Sequence, residues 1–231
     1  MNAYRTLREE AYEANRELSA SGLVVATFGN VSAFDGERAI FAIKPSGVPY
    51  PQLSPEAMVV VDLDNKVVEG TLRPSSDTKT HAVLYRSFQG IGGVCHTHST
   101  YAVAWAQAQR PIPILGTTHA DHLTDDIPCT DVMDDRMIAG DYETETGNQI
   151  VHHFRDRSYR EIAMVLVARH GPFTWGESAG KALYNSIMLE ALARMAFITM
   201  RIDPSVSRLG DALINKHYQR KHGSNAYYGQ Q

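Results

Sequence analysis

Val94-Cys95-His96-Thr97-His98-Ser99 is the stretch on which the reading of the chain turns. Ile91 to Cys95 is apolar and β-prone and runs directly into His-Thr-His, which stands the histidines at the end of a strand. Side chains two apart in a strand share a face. His96 and His98 therefore project together, and two convergent imidazoles are half of a divalent-metal site, with zinc the default ion. Cys95 points the other way and reads as core packing. Taken alone, a His-x-His pair is more often a polar strand end than a metal site, so the rest of the chain has to decide.

Upstream, Pro74-Ser75-Ser76-Asp77 opens a helix predicted through about Phe88. Free N–H groups in its first turn suit an anion, and Asp77 either caps the helix or turns its carboxylate toward the metal. Met58 to Asp62 and Lys66 to Val68 read as a hairpin around Asp64-Asn65, and Ala39 to Ile43 as a strand running into Lys44-Pro45-Ser46-Gly47. Lysine, hydroxyl and glycine at a strand end are what a phosphate needs, although an ordinary surface turn looks similar. Leu23 to Phe28 is expected to be a further strand, ending in Gly29-Asn30-Val31-Ser32, where backbone N–H groups and short polar side chains hold substrate oxygens. A charged helix, Met1 to Leu18, precedes it and stops at Gly22.

Downstream, a helix with Trp105 is followed by Ile114 to His122, an apolar run that turns dense with polar groups at Thr117, His119 and Asp121, and is read as another strand end. Asp125-Asp126 and Asp131 to Asp135 look like solvated loop acids. Glu143 and Glu145 offer packing or polar support, and His152-His153 sits on an exposed helix. Ala163 to Ala168 is a buried-type strand that delivers His170, a third candidate imidazole, before a sharp turn at Gly171-Pro172. Ala179 to Arg201 is a core or subunit-interface helix, interrupted by Lys181, Asn185, Glu190 and Arg194 and so not a membrane span. The tail from Lys216, with His217, Arg220 and Tyr228, is basic and aromatic and would by default be frayed.

At 231 residues, with 43% hydrophobic and 21% charged residues, the chain suits one soluble α/β domain. A net charge of -4 points to neither nucleic acid nor a membrane surface. Without the apolar core of a signal peptide near Met1, and with only Cys95 and Cys129, a cytoplasmic protein with reduced thiols is expected.

Three histidines from two strand ends, an acid at a helix start and several phosphate-type loops suit a catalytic metal beside a phosphate grip. In order and spacing, Gly29-Asn30-Val31-Ser32, Lys44-Pro45-Ser46-Gly47-Val48, Pro74-Ser75-Ser76-Asp77, His96-Thr97-His98-Ser99, Gly116-Thr117-Thr118-His119-Ala120-Asp121, His170-Gly171-Pro172-Phe173 and the segment from Lys216 through Tyr228 resemble the class II aldolase/adducin-like family. The resemblance covers nearly the whole chain. It implies a three-layer α/β/α sandwich with a central, mainly antiparallel sheet, forming a single domain whose residues 216–231 reach a neighbouring subunit's site. It implies one Zn2+ per subunit, replaceable by Mn2+ or Co2+, with His96, His98 and His170 as ligands and Asp77 at the family's acidic metal position. Asparagine, lysine and hydroxyl positions of the family's substrate and phosphate loops fall on Asn30, Lys44, Gly47, Ser75 and Ser76.

Aspartate at position 77, where the family's aldolases carry glutamate, favours its epimerase branch. The implied reaction interconverts L-ribulose 5-phosphate and D-xylulose 5-phosphate at C4, by breaking and re-forming the C3–C4 bond through an enediolate and glycolaldehyde phosphate, in pentose (L-arabinose) catabolism. Asp121 and Tyr228, the latter from a neighbour, fall at the acid/base positions on opposite faces of the substrate, with Thr117, Glu143, His217 and Arg220 in support. A homotetramer of C4 symmetry with sites between subunits follows. An aldolase, a non-catalytic adducin-like domain and a metal-dependent hydrolase are the competing readings.

Overall fold

The computed structural model describes residues 4–224 and 226–227. Its elements are α1 (Arg5–Ala20), β1 (Asn30–Asp35), β2 (Ile40–Ile43), β3 (Val59–Asp62), β4 (Val67–Glu69), α2 (Thr78–Ser87), β5 (Gly93–His96), α3 (Thr100–Gln107), α4 (Thr117–Ala120), α5 (Asp135–Ala139), α6 (Tyr142–His153), β6 (Met164–Val167), β7 (Gly171–Gly176), α7 (Ala179–Ile202) and α8 (Asp211–His222). The strands form one sheet in the order β4-β3-β2-β1-β5-β7-β6, and every named pair is antiparallel.

Period-two alternation divides the strand side chains between two cores. Val31, Ala33, Ala42, Val60 and Cys95 pack with Ala11, Ala14 and Leu18 of α1 and with the start of α7. On the opposite face Phe41, Ile43, Val61 and Val94 pack with α2, α3 and Ile150 of α6. Helices therefore cover both faces, giving the expected three-layer α/β/α arrangement, and Cys95 is core packing with no exposure at all. The later part of α7 joins the second core, where Trp105 Nε1 donates to Ala193 O at 3.0 Å. No helix among the described residues is long and apolar enough to cross a membrane.

Four local expectations are corrected. Leu23 to Phe28 forms no strand, and β1 starts at Asn30. The reason is that the carbonyls of this segment face side chains instead of a neighbouring strand: Lys44 Nζ donates to Thr27 O at 3.2 Å, and the Tyr50 hydroxyl lies 3.1 Å from Phe28 O and 2.8 Å from Gly29 O. Ala26 and Gly29, both at positive φ, complete the turn. The polar cluster after Ile114 is likewise not a strand end. Ile112 and Ile127 form an isolated bridge, and the chain then turns into the short helix α4. The tail is helical through His222, because Ile214 packs against Ile114 and Ala120 in a small separate cluster. Asp134 and Asp126 also do more than face solvent: Asp134 caps α5, and Asp126 accepts the Ile114 N–H at 2.8 Å.

Two buried histidines give the fold a pH signature. Burial drives His81 down to about 3 and His119 to about 4, with the nearby Asp77 carboxylate pulling His81 the other way. Since an unfolded-chain histidine titrates near ~6.5, the unfolded state takes up protons first as pH falls. The stability from these two groups is thus complete above that value and is lost progressively toward pH 4 and below. At its steepest the loss is about 1.4 kcal/mol per pH unit for each histidine. Urea midpoints are expected to drop between pH 6.5 and 5, before ordinary carboxylates titrate; an unchanged midpoint over that interval would contradict the assignment.

Candidate metal centre

β5 ends at His96, and His98 lies just beyond it, so the two rings meet through the bend after the strand and not through strict strand alternation. His96 is fixed on two sides. Its ring stacks on Phe173 of the neighbouring strand β7 (centroids 4.2 Å apart, 16° between planes), and its Nδ1–H donates to Pro172 O at 2.9 Å. That hydrogen bond sets the tautomer and leaves the Nε2 lone pair pointing outward. His98 Nε2 lies 3.1 Å from it. His170 arrives on the tight β6–β7 turn, where Arg169 takes φ 63° and where a Cβ on Gly171 would stand 2.9 Å from Thr97 O.

His96, His98 and His170 offer ligand atoms that all lie within 4.8 Å of one another, the single such cluster of three or more metal-type side chains among the described residues. Burial pushes His170 down to about 3 and also lowers His98, with His96 adding to both, so these two rings present neutral nitrogens at pH 7. The donor set fits a divalent ion. Two nitrogen ligands of a tetrahedral zinc stand roughly 3.3 Å apart, for bonds of about 2.0–2.1 Å.

Asp77 occupies the N-cap position of α2 but makes no side-chain cap. Its Oδ2 instead accepts from Asn30 Nδ2 at 2.6 Å, with Ser75 Oγ at 3.4 Å. Burial alone would raise this carboxyl; the imidazoles of His96 and His81, the Asn30 hydrogen bond and His170 together bring it below its usual value. Asn30 Oδ1 is buried and unpaired, an acceptor available to a bound hydroxyl.

These groups line one cleft of about 380 Å³, to which Gly47, Ser76 and Glu143 also contribute. Its two loops are laced together, with Ser75 N–H donating to Lys44 O at 3.0 Å and Ser46 N–H to Arg73 O at 2.9 Å. Gly47 sits at φ +70° with open space where a Cβ would be, which leaves its backbone approachable. Lys44 is 2% exposed and has no carboxylate within ion-pair distance among the described residues; besides Thr27 O, its Nζ meets Pro45 O at 3.4 Å and the Tyr50 ring 4.9 Å away. Desolvation holds its ammonium below the ordinary lysine value, with Asp77 opposing. A larger cavity of about 460 Å³, around Trp175, Lys181 and Tyr218, has no comparable convergence of ligands.

Several contributors carried no recognisable signal in the sequence. Phe28 stacks on His98 (5.5 Å, 19°), the Tyr142 hydroxyl lies 3.3 Å from His170 Nδ1, and His81 backs the site with Nδ1 2.7 Å from Ser32 Oγ. Only the tyrosine's position, one residue before Glu143, hinted at its place. Conversely, Thr117, Asp121, His217 and Arg220 do not line the cleft. They gather where α4 meets α8, with Asp121 bound by His217 and Arg220. Tyr228 lies outside the described residues.

Residues 9–197 match the family described as Class II Aldolase and Adducin N-terminal domain. The chain is 50% identical over 224 residues to proteins named L-ribulose-5-phosphate 4-epimerase UlaF from Salmonella paratyphi B and Salmonella typhi, an alignment covering 97% of this chain and 98% of each relative. Among solved structures, an L-fuculose 1-phosphate aldolase superposes with a TM-score of 0.78 at 22% identity, covering 93% of this chain and 95% of that one. An L-fuculose-1-phosphate aldolase from Thermus thermophilus gives 0.67 at 22% identity, covering 87% and 98%.

Proposed function

Because the chain belongs to the class II aldolase and adducin N-terminal domain family, we propose that it is a zinc-dependent 4-epimerase that interconverts L-ribulose 5-phosphate and D-xylulose 5-phosphate. The observation that carries this reading is one cleft holding both three convergent imidazoles and a buried lysine with no carboxylate within ion-pair distance among the described residues. The first feature suits a divalent ion; the second suits a phosphate dianion. Identity of 50% across 97% of the chain to proteins named as this epimerase favours that substrate.

His96, His98 and His170 would hold the ion, with Asp77 beside them. Bound there, it would supply the Lewis acid that stabilises negative charge developing on the oxygens at C2 and C3 as the C3–C4 bond breaks. Lys44, the Gly47 backbone, Ser75 and Ser76 grip the phosphate, so glycolaldehyde phosphate stays bound and can present its other face before the bond re-forms. Asn30 offers Oδ1 to a substrate hydroxyl while its Nδ2 anchors Asp77. Inversion at C4 requires proton carriers on both faces. The Asp121 group supplies one and Tyr228 the other.

No residue of α4 or α8 lines the metal cleft of the same chain. Two halves of one reaction so separated meet across a subunit boundary, which favours a cyclic homotetramer with each cleft completed by its neighbour. We place the enzyme in the cytoplasm and in pentose catabolism, with L-arabinose the favoured source.

Incubation of the purified protein with L-ribulose 5-phosphate tests the reading. Chelator-sensitive, zinc-restored formation of D-xylulose 5-phosphate with little free glycolaldehyde phosphate is expected. Accumulation of free fragments would make the protein an aldolase, and absence of turnover in zinc-loaded protein would refute the substrate.

A further inference from the structure

Among the described residues that line the metal cleft, Phe28 is the one large side chain with no polar atom, and 57% of it is exposed. A single exposed aromatic is ordinary on a protein surface. This one is held in place by everything around it. Its ring stacks on His98, with centroids 5.5 Å apart and 19° between the planes. Its N–H donates to Val25 O at 3.1 Å, closing a turn in which Ala26 (φ 54°) and Gly29 (φ 80°) are left-handed, a conformation unfavourable for alanine. Gly29 passes so close to β5 that a Cβ there would stand 3.0 Å from His96 O, and its own carbonyl accepts from the Tyr50 hydroxyl at 2.8 Å. The turn has no room to withdraw the ring from the cleft.

Phe28 also stands between the two working ends of the cleft. On one side its ring covers His98. On the other, the preceding residue gives its carbonyl to Lys44 Nζ at 3.2 Å, and the Tyr50 ring whose hydroxyl holds Gly29 lies 4.9 Å from that ammonium. Glycolaldehyde phosphate has to occupy the space between these ends. Once the C3–C4 bond is broken, the fragment is anchored through its phosphate, and its two carbons have to turn before they bond again. A polar wall would hold the aldehyde oxygen in one orientation by hydrogen bonding and would admit water beside it. A flat apolar face favours no orientation while it keeps water out and gains from contact with the carbons.

We propose that Phe28 is a specificity-determining residue: its ring keeps glycolaldehyde phosphate in the cleft between cleavage and re-addition, so that the outcome is epimerisation and not release of fragments. The inference rests on the epimerase reading. Cleavage passes the C3–C4 electron pair to the three-carbon fragment, while the C4 hydroxyl loses its proton and its O–H pair becomes the aldehyde carbonyl. When the aldehyde stays, the C3 pair adds to its other face, the carbonyl pair returns to oxygen and takes back a proton, and C4 is inverted. When it escapes, the three-carbon fragment takes a proton at C3, equal in number to the one the C4 hydroxyl lost, and leaves as dihydroxyacetone. Phe28 gives and takes no proton; it sets the ratio of these two exits.

Product partition tests this. In zinc-loaded Phe28→Ala supplied with L-ribulose 5-phosphate, free glycolaldehyde phosphate per D-xylulose 5-phosphate, read by phosphorus NMR, is expected to rise about tenfold or more over the parent, the scale of losing apolar contact with a pair of carbons. Phe28→Trp, which keeps a flat ring, should hold the parent ratio. A parent-like ratio in Phe28→Ala overturns the proposal, and so does an equal rise in both variants. Calorimetry on the zinc-loaded proteins reads the same contact without turnover. Phe28→Ala should bind glycolaldehyde phosphate about tenfold more weakly and inorganic phosphate as the parent does. Weakening of both ligands alike, or of neither, overturns the proposal. A Phe28→Ala protein that takes up no zinc even in excess metal would reduce the ring to a support for His98 and overturn it as well. A parent that is inactive, or that itself releases its fragments, brings down the epimerase reading and this inference together, whereas an epimerising parent with an unchanged variant sinks the inference alone.

Discussion

Replacing His96 with glutamine yields a protein that retains no stoichiometric zinc after dialysis and turns over at least ~10³-fold more slowly, the loss of several kcal/mol of charge stabilisation at the reacting oxygens. His96 is the ring to change because it is the most constrained of the three, stacked on Phe173 and tautomer-locked by Pro172 O. Chelation of the parent protein should give the same kinetic deficit, reversed by zinc, and should lower its melting temperature. A site saturated 100-fold above its dissociation constant contributes about 2.7 kcal/mol to folding. Tyr142→Phe provides a graded companion. Losing the hydroxyl 3.3 Å from His170 Nδ1 should weaken metal binding by about ten- to a hundredfold and leave the fold intact. Metal content by atomic absorption and competition with a chromophoric chelator check both variants. A His96→Gln protein that still binds one zinc per chain would contradict the ligand set.

Lys44→Met should move affinity and stability in opposite directions. An ammonium 2% exposed, with no carboxylate within ion-pair distance among the described residues, is costly to bury and is supported in the structure by carbonyls and an aromatic face. If its counter-ion is the substrate phosphate, removing it forfeits charge-assisted hydrogen bonds worth about 1.5–3 kcal/mol. KM for L-ribulose 5-phosphate should then rise by roughly 10–150-fold, while urea stability of the ligand-free protein stays level or increases. The combination is diagnostic. Were Lys44 only a structural tie for the Thr27 and Pro45 carbonyls, the variant would be less stable and KM would hardly change. Titration with inorganic phosphate, followed by calorimetry, reads the same contact without turnover.

Both predictions concern a site whose parts were unequally legible in the sequence. The histidines could be read because their signal is local: an apolar strand that ends in His-x-His, and a second that ends before Gly-Pro, put imidazoles at strand ends. Alternation likewise turned Cys95 away from His96 and into the core. The turn signals around Lys44 and Ser75 were also local, whereas the backbone hydrogen bonds that join the two loops are a tertiary feature. Leu23 to Phe28 misled because β-propensity says nothing about where a segment's carbonyls go, and here Lys44 and Tyr50 take them. Asp77 had the sequence of a helix cap, but Asn30, 47 residues away, claims its carboxylate.

What the sequence determined alone is the list of chemical groups and the strand ends that carry imidazoles, since these follow from side-chain patterns along a few consecutive residues; the three-layer order came through the family resemblance. Only the tertiary structure decided that Lys44 is a buried cation without a carboxylate at ion-pair distance among the described residues, that Tyr142 and Phe28 flank the outer imidazoles, and that Asp121 is bound by Arg220 and His217 of α8 away from its own chain's cleft. Those facts depend on desolvation and on which distant groups meet, and neither is encoded within any one stretch of the chain. Burial and partnership are properties of the packed molecule.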